Sequence, residues 1–196
     1  MRLTSREISM AALMAAIMVV VTLITRVPFV LALVPFSLQP LIAILAGVLL
    51  GARTGALSMI VYLLLGLIGL PVFATEPFGG PAYVLKPTFG FLLGQVIAAY
   101  VAGKILEGHK DKKLIYYLMA SVAGMAVIYV VGLPYIYVTL NFYLGKTVSL
   151  MGVLKIGFLP FVLWDLLKAV IVAVLARAIH QRLPNSSTKP NQKLPS

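Results

Sequence analysis

Asp165 and Lys168 are the residues best placed to do chemistry, because they interrupt an otherwise apolar run, GFLPFVLWDLLKAVIVAVLARA (157–178). A three-residue spacing on an α-helix puts both side chains on one face, about 4.5 Å apart along the axis. Ionisable groups inside a membrane span cost about 2.5–3.5 kcal/mol each on insertion scales, so they usually face a protein interior and serve a purpose. Together the two supply an acceptor group and a donor group side by side. That combination suits a polar, roughly neutral head bearing both N–H and C=O, such as a cyclic urea or amide. The same residues would also make an internal ion pair that fixes helix packing. Charge and spacing leave both readings open.

Other chemistry is sparse. Lys86, Arg26 and Lys146 are cations that could meet a carboxylate. Trp164 reads as packing or an interface anchor. There is no G-x-x-x-x-G-K-[ST], no H-E-x-x-H and no G-x-S-x-G, so P-loop ATP hydrolysis and the common hydrolase arrangements are excluded. His109 and His180 fall in charged stretches and read as solvated surface residues. Asp and Glu total five, and Asp165 is the one set well inside a span, so paired carboxylates for metal or acid–base work are not expected. With no cysteine there is no disulfide framework or thiol chemistry. The expectation is a protein that is not an enzyme and holds no cofactor or metal.

The elements that must position Asp165 and Lys168 follow from composition. The chain has 196 residues, a mean hydropathy of +1.05, 61% hydrophobic and 11% charged residues. These values predict an all-α integral membrane protein with room for six helices. The net charge of +11 is explained by basic loops on one side of a membrane, without nucleic acid. Segment one spans about 5–25; it reads as a membrane helix rather than a cleavable leader. Its residues Ala11, Ala12, Ala15 and Ala16 form two small-xxx-small pairs, which suit close helix packing. An apolar stretch broken by Pro28 and Pro35 (27–39) ends in Ser37 and Gln39; such a stretch must line a cavity or lie buried in protein. Segment two (40–50) is joined by a tight basic turn, 51–55, to segment three (56–70). PVFATEPFGGPAYVLKPT (71–88) is a long loop with Glu76, Gly79, Gly80, Tyr83 and Lys86; it reads equally as a binding lid or a solvated connection. Segments four (89–106) and five (114–132) follow. A Tyr-rich connection (133–154) has room for a short interfacial helix. Segment six (157–178) is the run described first. Residues 1–183 make a six-helix membrane domain, and 184–196 a polar, disordered tail.

Six spans place eleven of the sixteen basic residues on one side and four, Arg26, Lys86, Lys146 and Lys155, on the other, with Lys168 inside. Both termini are therefore expected in the cytoplasm. A straight segment six would carry Asp165 about 15 Å inward from Lys155, near mid-membrane. No internal repeat stands out, which argues against a self-sufficient carrier and leaves a ligand-binding subunit open.

Four stretches carry a family resemblance: SLQPLIAILAGVLLG (37–51), GALSMIVYLLLGLIGLPVFA (55–74), GGPAYVLKPTFGFLLG (79–94) and WDLLKA (164–169). Together they resemble the BioY family, the biotin-specific substrate-binding (S) components of energy-coupling factor (ECF) transporters. The resemblance covers nearly the whole chain apart from the tail. It implies an S-component fold of six helices in the bacterial cytoplasmic membrane, with a biotin pocket near the outer face. It also implies that Asp165 and Lys168 hold the ureido ring. Ser37 and Gln39 match the family's Ser/Thr-Leu-Gln, Gly79 and Gly80 its Gly-Gly loop, and Pro87, Thr88 and Gly90 its Pro-Thr-x-Gly. Tyr83 lies on the same loop. Many members have glycine where this chain has Lys86, so Lys86 is assigned to the valerate carboxylate. Ala11, Ala12, Ala15 and Ala16 match the face by which S components dock on a transmembrane coupling protein, with ATP hydrolysis left to two separate ABC-type ATPases. The alternatives are an S component for another vitamin or a solitary biotin carrier.

Overall fold

A computed structural model describes residues 4–26, 37–109 and 113–182. The Pro28/Pro35 stretch, Lys110, Lys112 and the polar tail lie outside the described residues. Among the described residues regular structure is entirely helical. The elements are α1 (Ser5–Thr25), α2 (Gln39–Leu50), α3 (Ala52–Leu67), a 3-10 turn (Pro81–Leu85), α4 (Phe89–Glu107), α5 (Leu114–Val138), α6 (Leu150–Gly157) and α7 (Val162–Arg182).

Local chemistry sets the helix ends. Thr4 and Glu7 form a reciprocal capping box at the start of α1: Thr4 N–H donates to Glu7 Oε2 at 2.7 Å, and Glu7 N–H to Thr4 Oγ1 at 3.3 Å. Pro40 occupies the first turn of α2, where its missing N–H costs nothing. Gly51, at φ +84°, alone separates α2 from α3. The basic turn expected over 51–55 is thus a single-residue break, and Arg53 is already helical. The Ala52 N–H at that break is capped by Glu107 Oε1 at 2.7 Å. Segment three accordingly runs 52–67 rather than 56–70. Helix α5 continues through Pro134 to Val138, past the end expected at Gly132, and passes into a wider π-type turn at Thr139–Tyr143. Membrane helices tolerate proline where neighbouring groups satisfy the freed carbonyl. Ser149 caps α6, accepting from Gly152 N–H at 3.1 Å.

The expected straight sixth segment is broken. Helices α6 and α7 meet at 52° across Phe158–Phe161. Asp165 therefore stands in the first turn of α7 rather than ten residues into a continuous helix.

Three helical stretches are long and apolar enough to cross a membrane: Ser5–Thr25, Phe89–Glu107 and Leu114–Tyr143, with mean hydropathies of 2.5, 1.7 and 2.1. The bent α6–α7 pair makes a fourth if taken as one span. Helices α2 and α3 are apolar but short, at 12 and 16 residues. At about 1.5 Å per residue, both fall below a hydrocarbon core of about 30 Å.

Helix α2 is the centre of the packing and touches α1, α3, α4, α5 and α7. Ile42, Ala43 and Ala46 face one core cluster with Met14, Met18, Met59, Tyr62 and Phe73. Ile44 and Val48 face a second cluster with Ala98, Tyr117, Met125, Ile128 and Val172. Small residues allow this crowding: a Cβ on Gly47 would stand 2.1 Å from Ala99 O, and one on Gly103 2.4 Å from Ala52 N. In α7 the leucines point outward, with Leu163, Leu166 and Leu167 exposed while Asp165 and Lys168 are buried. That inverts the pattern of a water-soluble helix.

The two histidines are not simply solvated. His109 Nδ1 bonds Ile105 O at 2.8 Å and its ring stacks on Tyr116, and His180 Nδ1 bonds the buried Tyr117 hydroxyl at 2.9 Å.

Candidate functional site

The buried pair forms a connected cluster. Lys168 Nζ donates to Asp165 Oδ1 at 2.7 Å and to Ser37 O at 2.8 Å. Tyr129 OH donates to Asp165 Oδ2. The pair is thus an internal ion pair, and it also lies in a cavity wall. The cluster keeps spare capacity. Among the described residues, two of the three ammonium protons have partners, and two of the carboxylate's about four lone-pair sites are occupied. Counted over the described residues, one donor and two acceptor sites remain for a guest.

The cavity has a volume of about 320 Å³, within the range of small-molecule sites. Its polar wall includes Ser37, Gln39, Thr75, Thr88, Gln95, Tyr129, Asp165 and Lys168, and its apolar wall Phe91, Leu92, Ile128, Ile136, Ile156 and Phe161. Five helices and the 71–88 loop contribute. Helix α2 brings Gln39 and Pro40, α4 brings Phe91, Leu92 and Gln95, α5 brings Ile128, Tyr129 and Ile136, and the two arms of the α6–α7 bend bring Ile156 and Gly157 on one side and Asp165 and Lys168 on the other. The bend thus has a use: it lets one segment wrap the cavity from two directions.

The loop is fastened as a wall. Arg26, at the end of α1, donates to Pro71 O at 2.7 Å and to Phe73 O, and its guanidinium lies 4.4 Å from the Phe78 ring centre. Tyr62 OH donates to Val72 O at 3.0 Å, and Gly80 N–H to Gly66 O at 2.7 Å. Tyr83 is buried against Phe73 with ring centres 4.3 Å apart, and its hydroxyl bonds Thr75 Oγ1 at 3.0 Å. Tyr135 OH donates to Val84 O.

Of the residues singled out from sequence, Asp165, Lys168, Ser37, Gln39, Tyr83 and Thr88 come together at the cavity. Gly79, Gly80 and Lys86 are not on its wall. A Cβ on Gly79 would stand 2.3 Å from Leu70 O, and Gly80 has φ +93°, so these two shape the loop. Lys86 is exposed, as is Lys146, while Arg26 is engaged with the loop backbone. Trp164 is half exposed on the outside of α7. The four alanines divide: Ala11 and Ala15 are buried, and Ala12 and Ala16 are exposed. Sequence reasoning missed Tyr129 and Gln95. Gln95 carried a signal, a lone amide in an apolar helix. Tyr129 carried none, since tyrosines recur along α5.

A helical bundle that encloses a cavity with an acid–base pair in an apolar wall, and that turns leucines outward, defines a membrane protein that holds a small solute with a polar head. Comparisons with known proteins agree with that class. The BioY family model matches residues 1–185. Similar proteins include a probable biotin transporter BioY of Lysinibacillus sphaericus, 40% identical over 151 residues (77% of this chain and 76% of that one). Another is a biotin transporter BioY of Rhizobium etli, 35% identical over 186 residues (90% and 94%). The crystal structure of an S-component for biotin from an ECF-type ABC transporter matches with a TM-score of 0.71 at 22% identity, covering 93% of this chain and 96% of that one. The chain belongs to the BioY family, has the S-component fold, and is an integral membrane protein.

Proposed function

We propose that the protein captures biotin at the outer face of the membrane and serves as the substrate-binding subunit of an ECF-type transporter. The observation that carries this reading is the Asp165–Lys168 pair, with bonding sites left over among the described residues, set in a cavity with a largely apolar opposite wall. A ureido ring offers N–H groups and one carbonyl oxygen. The free acceptor sites of Asp165 suit the N–H groups, and the remaining Lys168 proton suits the oxygen. The thioether ring and alkyl chain would lie against Phe91, Leu92, Ile128 and Ile136. Ser37, Gln39, Tyr83 and Thr88 complete the wall, and Gly79 and Gly80 shape the loop beside it. Lys86, an exposed charge on the loop that also supplies Tyr83 and Thr88 to the wall, acts on the carboxylate at longer range.

In this reading α1 to α5 and the bent α6–α7 pair make six spans in a bacterial plasma membrane, and residues 184–196 form a cytoplasmic tail. Both termini are cytoplasmic. The Ala52–Glu107 and Tyr117–His180 contacts support this arrangement, because they gather at one end the loops that hold most of the basic residues. Helix α1 docks on the transmembrane coupling protein, and two ABC-type ATPases supply energy. The subunit itself is not an enzyme and needs no cofactor.

Titration calorimetry on the detergent-purified protein with a vitamin panel tests the assignment. Saturable binding of biotin, with none of thiamine or riboflavin, is the expected result. Tight binding of another vitamin without biotin overturns it.

A further inference from the structure

Gln39 lines the cavity from the first turn of α2, and its amide has two chemically different ends. Two hydroxyls behind it decide which end faces the ligand. Thr22 Oγ1 donates to Met18 O at 2.8 Å, and Tyr62 OH donates to Val72 O at 3.0 Å. A hydroxyl has one proton, so both oxygens can then only accept. Both stand within bonding distance of Gln39 Nε2, at 3.1 Å for Thr22 and 2.8 Å for Tyr62. The two hydroxyls stand 3.4 Å apart, farther than either carbonyl bond, so the carbonyls are the better acceptors for both protons. The NH2 end of Gln39 is thereby committed to α1 and α3. Its Oε1 is left on the side of Ser37, whose Oγ lies 3.4 Å away and which itself lines the cavity. Thr22, Gln39 and Tyr62 are all buried. A flipped amide would set its oxygen against two oxygens with no proton to offer, leaving buried polar groups unpaired.

We propose that Thr22 and Tyr62 are positioning residues that hold the Gln39 amide oxygen toward the cavity, making this wall an acceptor that selects ligands with an N–H group. The inference rests on the biotin reading of the cavity. Tyr62 has a second consequence, because the proton that fixes Gln39 is the one bonded to Val72 O. The orientation of Gln39 is therefore tied to the seating of the loop that closes the same cavity.

A double-mutant cycle tests this. Thr22→Val exchanges the hydroxyl for a methyl group at nearly the same shape, and Tyr62→Phe removes the hydroxyl together with its bond to Val72 O. Each is made in the wild-type and in the Gln39→Ala background, and biotin affinity and thermal stability are measured on the purified proteins. For Thr22→Val the expected result is a loss of about five- to tenfold in affinity in the wild-type background and no further loss beside Gln39→Ala; Tyr62→Phe, which also frees Val72 O of the loop, should lose more in the wild-type background than beside Gln39→Ala. A role confined to packing would lower thermal stability equally in both backgrounds, with affinity losses that multiply. Losses that multiply fully with Gln39→Ala in either arm, or unchanged affinity for Thr22→Val in the wild-type background, overturn the proposal. If Tyr62→Phe fails to fold, the Thr22→Val arm decides on the same criteria. Wild-type protein that binds no biotin overturns the biotin reading and this inference with it, whereas wild-type binding with multiplying losses overturns the inference alone.

Discussion

At Asp165 the acid is held from two sides, by Lys168 on Oδ1 and Tyr129 on Oδ2, and Lys168 in turn is anchored to Ser37 O. Removing one charge leaves the other buried and unpaired, which costs about 3–5 kcal/mol in typical buried pairs. A single substitution therefore confounds ligand contact with folding. Asp165→Asn and Lys168→Met are each expected to lower biotin affinity about 100-fold or more, while the protein still inserts and purifies. The neutral double variant Asp165→Asn/Lys168→Met removes the unpaired charge, so it should recover thermal stability but not binding. Recovery of binding in the double variant would mark the pair as scaffold. Lys86 is a milder case because its side chain is exposed. Lys86→Ala should weaken biotin binding up to about threefold at low salt, with the difference vanishing at high salt. Affinity unchanged at every ionic strength removes Lys86 from the site.

Arg26 joins α1 to the 71–78 part of the loop through Pro71 O, Phe73 O and the Phe78 ring. Arg26→Ala is expected to speed hydrogen exchange at residues 72–78 and to raise the biotin dissociation rate several-fold, with α4 and α5 exchange unchanged. Unchanged exchange in the loop would show that Tyr62, Tyr83 and Tyr135 hold it without help. The loop also shows what could be read from sequence. Its length and its Gly-Pro content marked it as a wall or lid, and Asp165 and Lys168 were legible because charge in an apolar run has few innocent explanations. What stayed hidden depends on neighbours distant in the chain. Gly79 is small because Leu70 O lies where its side chain would be, and Gly47 because Ala99 O does. Segment five reads as ending at Gly132, yet α5 runs on through Pro134 to Val138, since a tertiary setting can satisfy the carbonyl a proline leaves free. The break at Phe158–Phe161 is different: it follows Gly157 and holds Pro160, which has no N–H to donate, so a signal for the bend stood in the sequence although the apolar run reads as one helix. Only the cavity it wraps gives the bend a purpose.

Across the whole molecule, the outward surface of α1 carries Ile8, Leu13, Ile17, Val20 and Ile24, and that of α7 carries Leu163, Leu167 and Val170. Both suit lipid or another apolar helix. The alanines of α1 decide between these partners at a finer level, because they sit on two faces. Ala11 and Ala15, each 1% exposed, face the bundle, where Ala15 joins the cluster of Met18, Met59 and Tyr62. Ala12 and Ala16 face outward. If α1 docks on a coupling protein, only the outward pair can meet it directly. Ala12→Leu and Ala16→Leu are expected to leave biotin binding by the purified subunit within twofold of wild type. In cells supplying the coupling protein and ATPases, the same variants should lose most biotin uptake, because a bulkier side chain blocks close helix approach. Ala11→Leu and Ala15→Leu should instead overpack the core, lowering stability by about 1–3 kcal/mol and reducing binding and uptake together. Radiolabelled biotin uptake set beside binding on the same four variants separates the faces. Full uptake with Ala12→Leu and Ala16→Leu would move the docking surface off this face of α1.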